Sequence, residues 1–219
     1  TRTVYTFQEV FTAGTPTVGM DLLDDTVVPE HARDIKQEAR EFAEEHIEPN
    51  AEEYHRSGEY PWEILEAGMD AGLVAQDIGE EYGGKGFDLA QVLAIAEEFY
   101  RADAGIALTL QLASFGAEMV EDYGTEEQKE KYLRPVAENE QLSGLAVSEP
   151  QTGSDLAGMT TKAEKVEGGY ELTGEKYWVG NAVEADWLTV YAKTGESDDR
   201  YSNYTLFIVE TDSDGYEAE

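Results

Sequence analysis

Cysteine is absent from the 219-residue chain, and cations are few: 15 Lys and Arg stand against 48 Asp and Glu. Without cysteine there is no disulfide, no thiolate nucleophile, no cysteine-ligated zinc finger and no cysteine-held iron–sulfur cluster. The longest run without a charged residue, 104–117, has 14 residues, which is too few to span a bilayer. No basic stretch followed by an apolar one opens the sequence. We therefore expect a cytoplasmic protein without membrane insertion.

The formal net charge of −33 limits the partners that the protein can have. Such a field repels the phosphate backbone of nucleic acids and the anionic surface of membranes, so neither is an expected partner. The composition is nevertheless that of a folded protein, because 41% of the residues are hydrophobic and 11% are aromatic. That content is enough to bury a core.

The acidic residues are spread along the whole chain, and only 8 residues are lysines. This pattern is similar to that of proteins from organisms with molar cytoplasmic salt, such as haloarchaea. At ~1 M salt the Debye length falls to ~3 Å and self-repulsion is screened. We expect a halophilic protein; the alternative is an ordinary acidic protein from a mesophile.

The chain divides into three parts. Residues 1–19 carry few acids and no helical period, and we expect them to be an upstream tail. Residues 20–140 are predicted to form a helical domain, because apolar residues recur there at helical spacing on an acidic background. The first predicted stripe consists of Ile35, Ala39, Phe42, Ala43 and Ile47.

Further helices follow in the same part. Asp88 is predicted to cap a helix, whose inward face we expect to consist of Leu89, Val92, Leu93, Ala96 and Phe99. Residues 106–120 are apolar nearly all round, which predicts one central buried helix. Thr125 followed by Gln128 predicts a capping box at the start of the next helix.

Residues 141–219 are predicted to form a β domain. Short runs rich in Val, Thr, Tyr and Trp alternate there with glycine turns, at 142–147, 160–166, 170–173, 187–192 and 204–209. Gly168 and Gly169 lie between two of these runs, as in a hairpin turn. Helices followed by strands indicate an α+β protein with an incomplete β-barrel or sheet domain, and not a Rossmann fold.

The segment 146–158 carries the clearest chemical signal. A predicted strand ends there in a loop with Pro, Gly and the hydroxyls of Ser148, Thr152 and Ser154. Backbone N–H groups and hydroxyls packed in this way can hold a polar ring edge or a pyrophosphate without cationic side chains. The alternative is an ordinary connection between two strands.

No metal site or dinucleotide fingerprint is predicted. His31, His46 and His55 lack the spacing of metal ligands. The glycines at 83, 84 and 86 are not preceded by a strand, which a dinucleotide-binding motif requires.

The string AVSEPQTGSDLAG at 146–158 resembles the flavin-binding motif of the acyl-CoA dehydrogenase family. Three other strings are similar to family segments, in the same order: EEYGGKG at 80–86, YGTEEQKEKYLRPVAENE at 123–140 and LTGEKYWVGNAVEADWLTVYAKT at 172–194. The last resembles the strand pair that carries a flavin-contacting tryptophan. The resemblance extends from about residue 20 to the end.

The resemblance implies FAD as cofactor and assigns residues to it. Leu145 and Val147 are expected beside the flavin ring through main-chain contacts. The hydroxyl of Ser148 is expected at the pyrimidine side of the ring. Gly153 and Ser154 are expected at the pyrophosphate, with Ser154 also near the CoA part of the substrate.

Residues 178–180 complete the implied site. Trp178 and Val179 are expected beside the ring system; from the sequence alone, Trp178 reads as a buried strand aromatic. Gly180 stands where the family has Thr or Ser, so its backbone N–H, and no hydroxyl, would face flavin N5.

The resemblance further implies oxidation of an acyl-CoA thioester to the trans-2-enoyl-CoA, as in fatty acid metabolism. A glutamate takes the α-proton and the β-hydrogen leaves as hydride to flavin N5. Electron-transfer flavoprotein would reoxidise the flavin, and a homo-oligomer, namely a homotetramer, is expected. Residues 108–113 correspond to the helix that lines the acyl pocket in the family.

In the family, the catalytic glutamate lies in a C-terminal helical domain beyond the region that resembles this chain. We therefore expect a fragment of a longer protein that is inactive by itself and contains no catalytic residue. The alternatives are a flavin-dependent oxidase or monooxygenase on the same scaffold, or a truncated non-catalytic binding module.

The dispersed acidity predicts a stability that depends on salt. Raising KCl from about 0.1 M to about 2 M should raise the thermal unfolding midpoint, since screening removes carboxylate repulsion. Circular dichroism melts measure this, with sucrose as the uncharged control for excluded-solute stabilisation. A midpoint that is independent of KCl would contradict the halophilic interpretation.

Overall fold

The computed structural model describes residues 27–197 and 202–219. The expected upstream tail, residues 1–19, lies outside the described residues. In the described part, helices come first and strands follow, which confirms the predicted α+β class. The helices are α1 Glu30–Phe42, α2 Ala51–Ser57, α3 Trp62–Asp70, α4 Leu89–Ala102, α5 Ala104–Gln111, α6 Ala117–Tyr123 and α7 Glu126–Ala137. The strands are β1 Ser143–Ala146, β2 Lys162–Val166, β3 Gly169–Thr173, β4 Trp187–Lys193 and β5 Tyr204–Glu210.

The apolar stripe predicted for α1 is confirmed. All five of its residues are buried, and a π-helical turn, Ala43–Ile47, extends the helix by five residues. The stripe packs against α4, where the rings of Phe42 and Phe99 lie 5.4 Å apart. Asp88 caps α4 and a capping box at Thr125 begins α7, as predicted, and Asp88 also forms a capping box with Gln91.

The predicted inward face of α4 is correct for Phe99, which is fully buried, and wrong for Leu89 and Leu93. Leu89 and Leu93 are 72% and 58% exposed, whereas Glu98 is buried beside Phe99. Arg40 Nη2 donates to Glu98 Oε1 at 2.9 Å, and Arg101 Nε donates to Oε2 at 3.0 Å. Burial alone would raise the pKa of Glu98, but the hydrogen bonds from the two arginines outweigh it and lower that pKa. Glu98, paired with Arg40 of α1 and with Arg101 of α4 itself, therefore lies on the face of α4 that packs against α1.

The prediction of a single helix over 106–120 is also wrong, because the helix is interrupted between α5 and α6. In the break, Ser114 forms a parallel bridge with Ser143 of β1, whose N–H donates to Ala113 O at 2.9 Å. Gly116 turns the chain with φ +91°, and its carbonyl accepts from Thr189 Oγ1 at 3.0 Å. The break is thus stabilised by contacts with the sheet.

The strands form one mixed sheet built around β4. Strand β1 runs parallel to β4, with Ser143 opposite Trp187, and β5 runs antiparallel to it along its whole length. Strands β2 and β3 form an antiparallel hairpin, and β2 meets β4 at the pair Lys162–Lys193. The hairpin turn is at 167–168, and Gly169 is already in β3.

The sheet is joined to the helices through Trp187 at the start of β4. Its side chain is 1% exposed, and its ring centroid lies 5.3 Å from that of Tyr132 on α7. Within the described residues, no helix has both the length and the hydropathy to cross a bilayer. No group of three or more His, Cys, Asp and Glu in that part is placed to hold a metal ion.

The helix break offers a test of how closely it fits the sheet. Gly116 and Gly168 both have φ near +90°, but a Cβ at 116 would lie 2.7 Å from Gly144 O, whereas one at 168 meets nothing within 4 Å. Gly168→Ala should cost about 1 kcal/mol from backbone strain alone. Gly116→Ala should cost about 3 kcal/mol, because the clash adds to the same strain. Equal losses in urea unfolding would show that the break does not need this close approach.

Candidate functional site

The end of β1 and the loop after it carry five of the predicted site residues. Leu145 in β1, and Val147 and Ser148 just after it, are half-buried. The chain then turns, with two backbone hydrogen bonds between residues 149 and 152. Gly153 and Ser154 follow at an exposed position, and a Cβ built on Gly153 meets nothing within 4 Å. The loop thus has an open tip beyond a half-buried base.

Trp178 is highly exposed and backbone-strained. The side chain is 89% exposed, and the residue has φ 58°, in the left-handed region that bulky residues rarely adopt. The neighbouring ring of Tyr177 meets the indole edge-on at 5.4 Å between centroids. Residues 174–186 lie between β3 and β4 without being in a strand. The interpretation of Trp178 as a buried strand aromatic is therefore wrong, as is its expected placement on a strand pair.

The loop after β1, residues 147–161, lies beside the segment that carries Trp178, residues 174–186, which we call the tryptophan segment. Tyr177 N donates to Ser148 O at 2.8 Å, and Lys176 Nζ donates to Val147 O at 2.9 Å. The structure thus brings Val147 and Ser148 next to the residues that precede Trp178. Within the described residues, the hydrogen bonds between the two segments involve neither Gly153 nor Ser154.

Glu149 and Lys176 hold these segments together, and the sequence interpretation missed both. The Glu149 carboxylate is fully buried, and Lys176 Nζ lies 3.1 Å from Oε1. Thr161 N also donates to Oε1, at 2.9 Å, while Oε2 accepts from Thr160 N at 2.6 Å and from Gln151 Nε2 at 2.6 Å. One acid among 48 gives little signal; the only hint is its place between a strand and a proline.

The surroundings of Glu149 change its acidity. Burial alone would raise its pKa, but hydrogen bonds from Thr161 and Thr160 outweigh that effect and lower the pKa to about 2. The pKa of Lys176 is lowered, because the effect of burial exceeds the opposite effect of the nearby Glu149 carboxylate. The carboxylate is therefore charged throughout the physiological pH range.

Three buried polar atoms on these segments have no hydrogen-bonding partner among the described residues: Thr152 Oγ1, Thr161 Oγ1 and Asn181 Nδ2. Buried polar groups are nearly always paired, and an ordered water molecule is the usual partner where no protein group serves. The other amide atom of Asn181, Oδ1, accepts from the Tyr60 hydroxyl at 3.1 Å. The open tip at Gly153 and the exposed indole of Trp178 are the parts of the two segments that a ligand can reach.

Gly180 has a steric explanation in this chain. A Cβ at this position would lie 2.3 Å from Leu112 Cδ1, and one on Gly144 of β1 would lie 3.0 Å from Gly180 O. Leu112, in the break between α5 and α6, thus occupies the space that a side chain at 180 would need. Val179 and Gly180 are both half-buried.

The lowered pKa of Glu149 predicts an acid-dependent loss of stability in one pH window. Because the folded pKa lies below the ordinary value of 4.5, its contribution is complete above about pH 4.5 and is lost as the pH falls through about 2. Glu149→Gln should therefore cost about 3 kcal/mol at pH 7. That deficit should shrink between pH 4.5 and 2.

Urea unfolding as a function of pH measures this deficit. The matched control is Glu175→Gln, an exposed acid that directly precedes Lys176, which should stay within about 0.5 kcal/mol of the parent. A Glu149→Gln deficit that is constant down to pH 2 would show that the charge of Glu149 does not stabilise the fold.

Comparison with known proteins gives two family matches. Residues 29–140 match the model of the acyl-CoA dehydrogenase N-terminal domain, and residues 144–219 match that of the acyl-CoA dehydrogenase middle domain. The chain is 36% identical over 207 residues to the mitochondrial isovaleryl-CoA dehydrogenase of Arabidopsis thaliana, covering 89% of this chain and 47% of that protein. It is 35% identical over 182 residues to the probable acyl-CoA dehydrogenase YngJ of Bacillus subtilis, covering 83% and 48%.

Solved structures give the same result. A glutaryl-CoA dehydrogenase from Mycobacterium smegmatis, in complex with FADH2, has a TM-score of 0.80 and 27% identity, covering 99% of this chain and 52% of that one. Butyryl-CoA dehydrogenase from Megasphaera elsdenii has a TM-score of 0.78 and 32% identity, covering 85% and 50%. The chain spans about half the length of the curated relatives it matches. By both of its domains, this chain belongs to the acyl-CoA dehydrogenase family.

Proposed function

We propose that the protein is an FAD-dependent dehydrogenase of acyl-CoA thioesters, which removes a proton from the α-carbon and a hydride from the β-carbon to give the trans-2-enoyl-CoA. One observation carries the proposal: in a chain of this family, the loop after β1 lies against the segment of an exposed, strained tryptophan, joined by the 2.8 Å hydrogen bond from Tyr177 N to Ser148 O. These two segments are the ones in which family resemblance assigns the flavin contacts.

The flavin ring is proposed to lie between these two segments. Main-chain atoms of Leu145 and Val147 and the hydroxyl of Ser148 would contact it from the side of β1. Trp178 and Val179 would contact it from the other side, with the N–H of Gly180 turned toward N5. The half-burial of the residues at the base of the loop and the 89% exposure of Trp178 support this arrangement, because an exposed indole is available for stacking.

Gly153 and Ser154 are proposed to approach the pyrophosphate, with Ser154 also near the CoA moiety. The open space at Gly153 lets a ligand approach the backbone closely. Backbone N–H groups and hydroxyls suit this role in a chain of net charge −33, which has few cations to spare for a phosphate.

When bound, FAD would supply the acceptor for the two electrons of the oxidation. The chain's own residues would orient the ring and the thioester and exclude water from them. The catalytic base is proposed to be a glutamate outside residues 1–219, in the part of the relatives' length that this chain does not span. Leu108, 47% exposed on α5, is proposed to contact the acyl chain.

Electron-transfer flavoprotein is proposed as the electron acceptor, and a homo-oligomer as the active form. Membership of the family supports both. Adaptation to molar salt stays a prediction from the composition.

The test uses the protein as expressed from its own gene. We expect flavin absorption in the purified protein, bleaching of that absorption on addition of an acyl-CoA under anaerobic conditions, and an enoyl-CoA product lighter by two hydrogens. Trp178→Ala should weaken FAD binding about tenfold, since stacked aromatic contacts contribute roughly 1–3 kcal/mol. Tyr123→Ala removes an aromatic that is 76% exposed on α6 and should leave binding unchanged.

The same measurements distinguish the alternatives. Peroxide formation at the rate of acyl-CoA turnover would indicate an oxidase. A protein that neither retains nor rebinds flavin would contradict the proposal. Residues 1–219 expressed alone should bind FAD weakly and show no turnover.

A further inference from the structure

We propose that the ion pair between Glu149 and Lys176 is a positioning device, which holds Trp178 and the following backbone at a fixed place beside the end of β1. The inference rests on the proposed function in one respect: the surface held in place is the surface to which the flavin is assigned. The pair touches neither cofactor nor substrate in this arrangement. Its role is to set the geometry of residues that do.

The Glu149 side of the pair cannot move. Both carboxylate oxygens accept hydrogen bonds, from backbone N–H groups of Thr160 and Thr161 and from the side chains of Thr160 and Gln151. Thr160 and Thr161 directly precede β2, so the carboxylate is fixed to the sheet. A fully buried charge held by this many donors has no alternative position of similar energy.

Lys176 connects this fixed carboxylate to the tryptophan segment. Only 10% of the side chain is exposed, and Nζ also donates to Val147 O at 2.9 Å. Lys176 therefore spans from the carboxylate to the end of β1, and it lies two residues before Trp178. Beyond Trp178, the Tyr60 hydroxyl donates to Asn181 Oδ1 at 3.1 Å, and the Tyr216 hydroxyl donates to Ala182 O at 2.6 Å.

The strain at Trp178 distinguishes positioning from simple stabilisation. Its left-handed backbone, φ 58°, is followed closely by that of Asn181, φ 62°. Such conformations persist where the surroundings determine them, and they gather at functional sites. The indole itself is 89% exposed, so its own packing does not hold it. The anchors on either side of it therefore maintain the strained conformation.

The experiment measures the environment and mobility of the Trp178 side chain directly, and it does not require bound flavin. The protein from its own gene is labelled with fluorotryptophan, and the 19F resonances of Trp62, Trp178 and Trp187 are assigned by single Trp→Phe changes. In Lys176→Met the Trp178 resonance should shift and narrow as the indole gains local motion, while that of buried Trp187 stays in place. FAD affinity should fall about tenfold, because preorganisation is lost.

Three further variants make the result decisive. Lys176→Arg keeps the charge. It should return the Trp178 resonance to its position in the parent protein and the FAD affinity to within about threefold of the parent value. The double variant Glu149→Gln with Lys176→Met leaves no unpaired charge and serves if the single variant does not fold. Glu98→Gln breaks another buried ion pair, with Arg40 and Arg101, and should lower stability while leaving Trp178 and FAD affinity unchanged.

Two outcomes would overturn the proposal: an unaltered Trp178 resonance in folded Lys176→Met or in the double variant, or the same change in Glu98→Gln. Failure of the proposed function is distinguishable from this. A parent protein that binds no FAD rejects the flavin assignment, whereas the 19F readout still decides whether the pair positions Trp178.

Discussion

The buried carboxylate of Glu149 is the point on which the geometry of the candidate site depends. It lies directly after the first strand, accepts hydrogen bonds from the residues that precede the second, and pairs with Lys176 shortly before Trp178. Three stretches of chain that are distant in sequence thus meet at one charge. Because an unpaired buried charge is very unfavourable, these partners have to be in place together. The site is therefore assembled by the folding of the sheet.

The same constraint shows how a strongly acidic chain builds an interior. Most acids can stay solvated, but Glu98 and Glu149 are buried, with side chains that are 1% and 0% exposed. Four of the 15 cations, Lys36, Arg40, Arg101 and Lys176, lie within ion-pair distance of these two carboxylates. One cluster sets how α4 rests on α1, and the other sets how the tryptophan segment rests on β1. In this chain the scarce cations, more than the abundant acids, identify the points that organise the structure.

Close backbone approaches form the second organising feature. The break between α5 and α6, strand β1 and the tryptophan segment come together at Gly116, Gly144 and Gly180, where added side chains would clash. Leu112 takes the space beside Gly180. This packing connects the helical part, where the acyl pocket is proposed, with the segment proposed to face the flavin.

The sequence alone determined the features that depend on local spacing. The apolar stripe of α1, the cap at Asp88, the capping box at Thr125, the strand positions and the order of helices before strands were all predictable, as was the family, because each depends on residues near one another in the chain. The rotation of α4, the break after Gln111, the exposure of Trp178 and the roles of Glu149 and Lys176 were not. The helix rotation, the break and the roles of Glu149 and Lys176 are decided by partners elsewhere in the chain: Arg40 for Glu98, Ser143 for Ser114, and Thr161 and Lys176 for Glu149. Periodicity records which residues prefer burial, but only the tertiary structure brings together the opposite charges and backbone groups that allow an acid to be buried.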